Sequence, residues 1–131
     1  MSEKTVVHTS GEAQAFWMLG GLYEMLLLSD ETNGATTVMQ MTIPGGDGPA
    51  PAHASGIRDG LCHQRHCPLQ HRGEIFEAAP GSLFHIPAGT VENFEPTSTV
   101  RVLITYTPGG IDEFFAEAGE RAKRYEVPPG A

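Results

Sequence analysis

Proline and glycine sit at the ends of almost every apolar run in this chain, and that spacing limits the folds open to it. Pro80-Gly81 stops a run at Glu74 to Glu77, Pro87-Ala88-Gly89 stops one at Ser82 to Ile86, and Pro108-Gly109-Gly110 stops one at Val100 to Thr107. Gly20-Gly21 divides another between Gln14 and Ser29, and Asn33-Gly34 closes the turn that follows it. Gly and Pro terminate strands because they supply turn geometry and cannot extend a ladder. Short strands at intervals of about 8–12 residues predict a β-sandwich or β-barrel. A lone small sheet would leave unpaired edges, so closure or a two-sheet jelly roll is expected.

The alternation inside the runs agrees. Met39, Met41 and Ile43 share one face of Thr36 to Ile43. Val100, Val102, Ile104 and Tyr106 share one face of the run that follows later, opposite Arg101, Leu103 and Thr105. A period of two is that of a half-buried strand. Tyr23 to Leu28 is strand-like or helical, since Leu, Met and Glu also favour helix. Val91 to Phe94 adds a short strand. Pro44 to Pro51 is a rigid loop. Beyond residue 110, Ile111, Phe114, Phe115 and Ala118 fall at i, i+3, i+4 and i+7, which predicts an amphipathic helix over about 111–124. Asp112 and Glu113 open it, and Arg121, Lys123 and Arg124 would complement its dipole at the end. The pattern gives one domain over 1–131, with a barrel at about 14–108.

The chain of 131 residues carries 8 Lys and Arg against 16 Asp and Glu, a net charge of −8. Nucleic acid and anionic membrane surfaces need a basic partner face, so neither is expected to bind. No run approaches the roughly 20 apolar residues of a membrane span. Two cysteines are too few for a disulfide framework, and Met1 to Gly11 is polar, so a cytoplasmic setting is expected.

Several of these runs fall in a known order. Trp17-Met-Leu-Gly20, Thr32-Asn-Gly34, the Pro-Gly loop ending in His53, Ala79-Pro-Gly-Ser-Leu-Phe-His-Ile-Pro87-Ala-Gly-Thr-Val-Glu92-Asn-Phe94, then Tyr106-Thr-Pro-Gly109 and Phe114-Phe115 together resemble single-domain cupins similar to quercetin 2,3-dioxygenase. Residues 80 to 94 resemble the second cupin motif. The resemblance covers roughly residues 14 to 120. It implies a double-stranded β-helix, or jelly-roll barrel, with a C-terminal helix. It also implies an interior divalent metal (Fe, Mn, Ni, Cu or Zn), a phenolic or enolic aromatic substrate, and a homodimer joined through an edge strand.

The ligand positions depart from that family's pattern. His53 matches the first histidine, but Ser55 stands where the second belongs. Asp59 is the carboxylate nearest to the expected Glu, and Glu92 replaces the last histidine. The candidate metal ligands are therefore His53, Asp59 and Glu92, with Glu92 also a candidate general base. The simpler alternatives are a loop histidine beside Pro51 and a solvated turn carboxylate. His85 alternates with Phe84 and Ile86 and is read as facing either solvent or the pocket, solvent being the preferred reading. Two functions follow: an oxidoreductase of dioxygenase type, or a non-redox cupin that cyclises, isomerises or simply binds a small apolar aromatic molecule.

Residues 61 to 72, Leu-Cys-His-Gln-Arg-His-Cys-Pro-Leu-Gln-His-Arg, look foreign to a barrel, with no β-branched side chain. Cys62, His63, His66, Cys67 and His71 can be read as a metal knuckle, although the spacing lacks a Cys-x-x-Cys pair. The segment can also be read as a local shift of reading frame, since among the degenerate codons for these residues there are choices for which a one-nucleotide shift gives an alternating strand, a turn glycine and a second strand. Either way, these residues are expected to be the worst-packed part of the molecule, with polar groups left unpaired in the core.

Overall fold

The computed structural model describes residues 4–45, 56–64, 67–71, 74–89, 93–94 and 98–129. In chain order its elements are β1 (Ala15–Met18), β2 (Gly21–Leu27), a 3-10 turn (Ser29–Glu31), β3 (Thr37–Ile43), β4 (Ile57–Gln64), β5 (Cys67–His71), β6 (Glu74–Ala78), β7 (Leu83–Ile86), β8 (Asn93–Phe94), β9 (Val100–Thr107), α1 (Ile111–Ala118) and β10 (Glu120–Arg121). Among the described residues these strands form two antiparallel sheets, ordered β10-β1-β2-β3-β9-β4-β7 and β6-β5-β8. The inner faces share one core, in which Met39, Met41, Val100, Val102 and Ile104 of the larger sheet meet Cys67, Leu69 and Ala78 of the smaller. This is the expected all-β jelly roll.

The strand pair at 15–27 turns where the sequence indicates. Leu19 (φ 49°) and Gly20 (φ 82°) both take left-handed backbone at the turn, the conformation of a two-residue hairpin turn. The helical alternative for Tyr23 to Leu28 loses because each of these side chains gains a face: Tyr23 and Met25 point into the core, whereas Leu22 packs outside with Ala15 and Trp17.

The predicted helix is shorter than its sequence pattern. It ends at Ala118 rather than 124. Gly119 takes an extended conformation while its N–H still bonds to the Phe115 carbonyl, and the chain then pairs with β1 through Phe16↔Arg121 and Trp17↔Glu120. No basic residue lies in the last helical turn. Arg121 instead stands 5.9 Å from the centre of the Phe16 ring, a cation–π arrangement. Phe115 is buried against Tyr23, with ring centres 4.6 Å apart, but Phe114 is 46% exposed. Docking of the helix is completed by Asp112, which is buried and accepts hydrogen bonds from Ser29 N (3.2 Å), Ser29 Oγ (3.2 Å) and Thr37 Oγ1 (2.8 Å).

The foreign-looking segment supplies the end of β4 and the whole of β5; the side chains at positions 64–66 and 70–72, on which the expectation of unpaired polar groups mainly falls, lie outside the described residues. Cys62 and Cys67 are fully buried in the shared core with Leu69, and His63 points to solvent. The thiols lie side by side, Sγ to Sγ 2.7 Å. Cysteine behaves as a small hydrophobe, so the sequence as written supplies inward side chains at 62, 67 and 69. No described helix is long and apolar enough to cross a membrane.

Candidate functional site

Strand β4 decides how much of the expected site is formed. Arg58, Gly60 and Cys62 are buried on its inner face, while Ile57, Asp59 and Leu61 alternate onto the outer one. Asp59 therefore points away from the barrel interior. The inward position next to it is Gly60, directly opposite Phe84 of β7. A Cβ built on Gly60 would lie 2.0 Å from Phe84 Cζ, so the Phe84 ring fills the space a carboxylate side chain would need. Two positions earlier the strand turns a guanidinium inward: Arg58 is 4% exposed.

His53 and Glu92 lie outside the described residues, so of the three candidate ligands only Asp59 has a described environment. Among the described residues, no three His, Cys, Asp or Glu side chains converge as a metal site would require. Of the Cys/His knuckle, Cys62 and Cys67 face the core and His63 faces out; the side chains of His66 and His71 lie outside the described residues. The described residues by themselves thus form no divalent-metal site.

What the structure does bring together is Asp59 and His85. They are register partners on β4 and β7, and Asp59 Oδ1 lies 2.5 Å from His85 Nδ1. Both side chains are accessible, His85 58% and Asp59 41% exposed. A carboxylate on Nδ1 fixes the neutral tautomer with the proton on that nitrogen, leaving Nε2 as a lone-pair acceptor. Alternation leaves His85 facing either solvent or the pocket. It does face out, but it also lines a cavity of about 610 Å³ with Leu69, Phe76, Ala78, Phe84 and Ile86. Small-molecule sites commonly occupy about 300–1,000 Å³ and are mostly apolar with a few polar groups.

Among the described residues no strand joins the two sheets at this cavity. β7 is the edge of the larger sheet and β6 the edge of the smaller. Phe76 pairs across from Leu69 on the inner face of the smaller sheet, yet remains 51% exposed in the seam.

The sequence matches no protein-family model and no curated protein. Solved structures do match. Ectoine synthase from P. lautus superposes with a TM-score of 0.69 at 14% identity, over 89% of this chain and 86% of that one. An RmlC-like cupin from Shewanella frigidimarina gives 0.68 at 15%, over 86% and 99%. A predicted oxalate decarboxylase from Thermotoga maritima gives 0.62 at 19%, over 79% and 99%. This chain has the cupin fold. At these identities the likeness carries the fold and not the reaction, and no dioxygenase is among these three. In this cupin fold the seam between β6 and β7 is a described place where an apolar cavity is lined by a histidine, His85, that is paired with a carboxylate.

Proposed function

We propose that this cupin binds a small, largely apolar aromatic molecule in the cavity between β6 and β7, and that His85 acts on it as a proton acceptor oriented by Asp59. The observation that carries the reading is the 2.5 Å contact between His85 Nδ1 and Asp59 Oδ1 at the edge of that cavity. Leu69, Phe76 and Phe84 would take the ring of the ligand, and Nε2 of His85 would accept a proton from a phenol or from carbon beside a carbonyl. The imidazolium formed is then stabilised by the Asp59 carboxylate, and it can return the proton elsewhere on the ligand. Moving a proton between two positions of an enolic compound is isomerase or cyclase chemistry without change of oxidation state. Positioned acid–base groups of this kind contribute about 10²–10⁴-fold in rate. This reading favours the non-redox alternative over a dioxygenase, because Asp59 is engaged with His85 outside the barrel. Pairing of two copies through an edge strand remains part of the proposal.

The test is proton exchange. Enolisable aryl ketones incubated with the protein in D₂O should exchange their α-hydrogens, measured by NMR. His85→Gln should abolish the protein-dependent rate while leaving ligand affinity within a few-fold. Phe84→Ala should weaken affinity instead. Exchange that survives His85→Gln unchanged would remove the acid–base role.

A further inference from the structure

The opposite face of the larger sheet carries a second cavity, of about 420 Å³, with different chemistry. Its floor is the outer side of β2, β3 and β9. Leu22, Thr42 and Arg101 lie in one cross-strand row, and Glu24 lies in the next. Its roof is the turn at Ser10-Gly11 and the tail at Tyr125 to Val127. Both roof segments are fastened: Trp17 Nε1 donates to the Glu126 carbonyl (2.8 Å), and Tyr125 Oη to the Ala13 carbonyl (2.8 Å).

Glu24 is 2% exposed, and its two oxygens are treated unequally. Oε1 accepts from Ser10 Oγ at 2.9 Å and from Gly11 N at 2.7 Å. Oε2 has no hydrogen bond among the described residues; its nearest cation is Arg101 Nη2, 4.0 Å away. Arg101 is also underused. Besides that ion pair it makes one 3.5 Å contact to Ser10 Oγ, and its side chain is 36% exposed. A guanidinium offers five N–H donors, and a carboxylate oxygen that no N–H or O–H of the described residues reaches is free to accept from a ligand. Anchoring the Ser10-Gly11 turn accounts for Oε1, but not for Oε2, for Arg101 or for the space between roof and floor.

We propose that this cavity binds a small zwitterion of the amino-acid type, its ammonium donating to Glu24 Oε2 and its carboxylate accepting from Arg101. Thr42 and Thr99 add hydroxyls to the wall, and Leu22 and Val127 leave room for a short aliphatic portion. The fastened roof means the site is largely formed before the ligand arrives, which lowers the ordering cost of binding. This site shares no lining residue with the cavity between β6 and β7, so the two proposals stand or fall separately.

Calorimetric titration of the full chain decides it. The probes are glycine, L-alanine, β-alanine and 4-aminobutyrate, which separate the two charges by increasing distances, with propylamine and propionate as single-charge controls. At least one zwitterion should bind with an affinity of about 1 mM or tighter, and both controls at least about tenfold more weakly, a difference of about 1.4 kcal/mol. Arg101→Met and Glu24→Gln should each cost about tenfold or more. Glu24→Gln retains an acceptor for Ser10 and Gly11; if it nevertheless fails to fold, Arg101→Met decides alone, because that side chain is half-exposed and lightly bonded. No binding by any zwitterion at about 10 mM, equal binding of propylamine, or binding undisturbed in Arg101→Met would each overturn the proposal.

Discussion

Phe84 lies across Gly60 so closely that a Cβ at residue 60 would meet three of its ring atoms at 2.0–2.6 Å. The ring is half-buried and packs on the shared core, so it has little freedom to withdraw. Gly60→Ala should therefore destabilise the fold by about 1–3 kcal/mol, the usual range for an overpacked core. Phe84→Ala in the same chain should recover part of that loss, since it removes the clash. Thermal unfolding of the two single variants and the double variant checks this; additive losses would show that the ring is not the obstacle.

Asp112 should matter to stability more than its helical position suggests. It is buried and accepts three hydrogen bonds from Ser29 and Thr37. Hydrogen bonds to charged groups are worth about 1.5–3 kcal/mol. Asp112→Ala should cost about 2–4 kcal/mol on that scale, measured by urea unfolding, with Asp112→Asn intermediate.

Acid should weaken the link between the N-terminal segment and the first turn. Burial alone would raise the Glu31 carboxyl, but the Leu28 N–H and His8 beside it outweigh burial and hold it below its ordinary value of 4.5. A lowered folded value means that Glu31 stabilises the fold above the unfolded value, and that this contribution is lost as pH falls through the folded one. Stability measured from pH 6 downward should fall less steeply below about pH 4.5 in Glu31→Gln than in the parent chain. Parallel curves would contradict the assignment.

The thiols of Cys62 and Cys67 should be inert in the native state. Both are fully buried. Burial, together with the adjacent Cys62 sulfur, pushes the Cys67 thiol well above its ordinary value. The thiolate is the reactive form, so alkylation by iodoacetamide should require unfolding. Labelling should then rise with urea along the same transition as the loss of tertiary structure. Rapid labelling without denaturant would place Cys62 and Cys67 outside the core.

Most of the barrel was legible because alternation is a local signal. Met39, Met41 and Ile43 in β3, and Val100 to Tyr106 in β9, announce their inner faces directly, and Pro-Gly pairs announce where strands stop. The helix end was not legible: Arg121 to Arg124 look like a favourable helix terminus, but pairing of residues 120–121 with β1 overrides that local preference. The strands at 57–71 were missed because cysteine reads as polar in a pattern and packs as apolar in a core. The Asp59–His85 pair was hidden for another reason. Its members are 26 residues apart and meet only through the β4–β7 register, which no spacing along the chain reveals. Asp59 is a candidate metal ligand in the sequence, yet its described partner is a histidine on the neighbouring strand.

The account centres on the seam between β6 and β7 as the ligand site. Chemical-shift mapping of the full chain with a soluble phenolic ketone tests this most directly. The expected result is saturable perturbation at Leu69, Phe76, Ala78, His85 and Ile86, with the His85 ring shifting most. Saturable binding that leaves these residues unmoved and perturbs Leu22, Thr42 or Val127 on the outer face would contradict it.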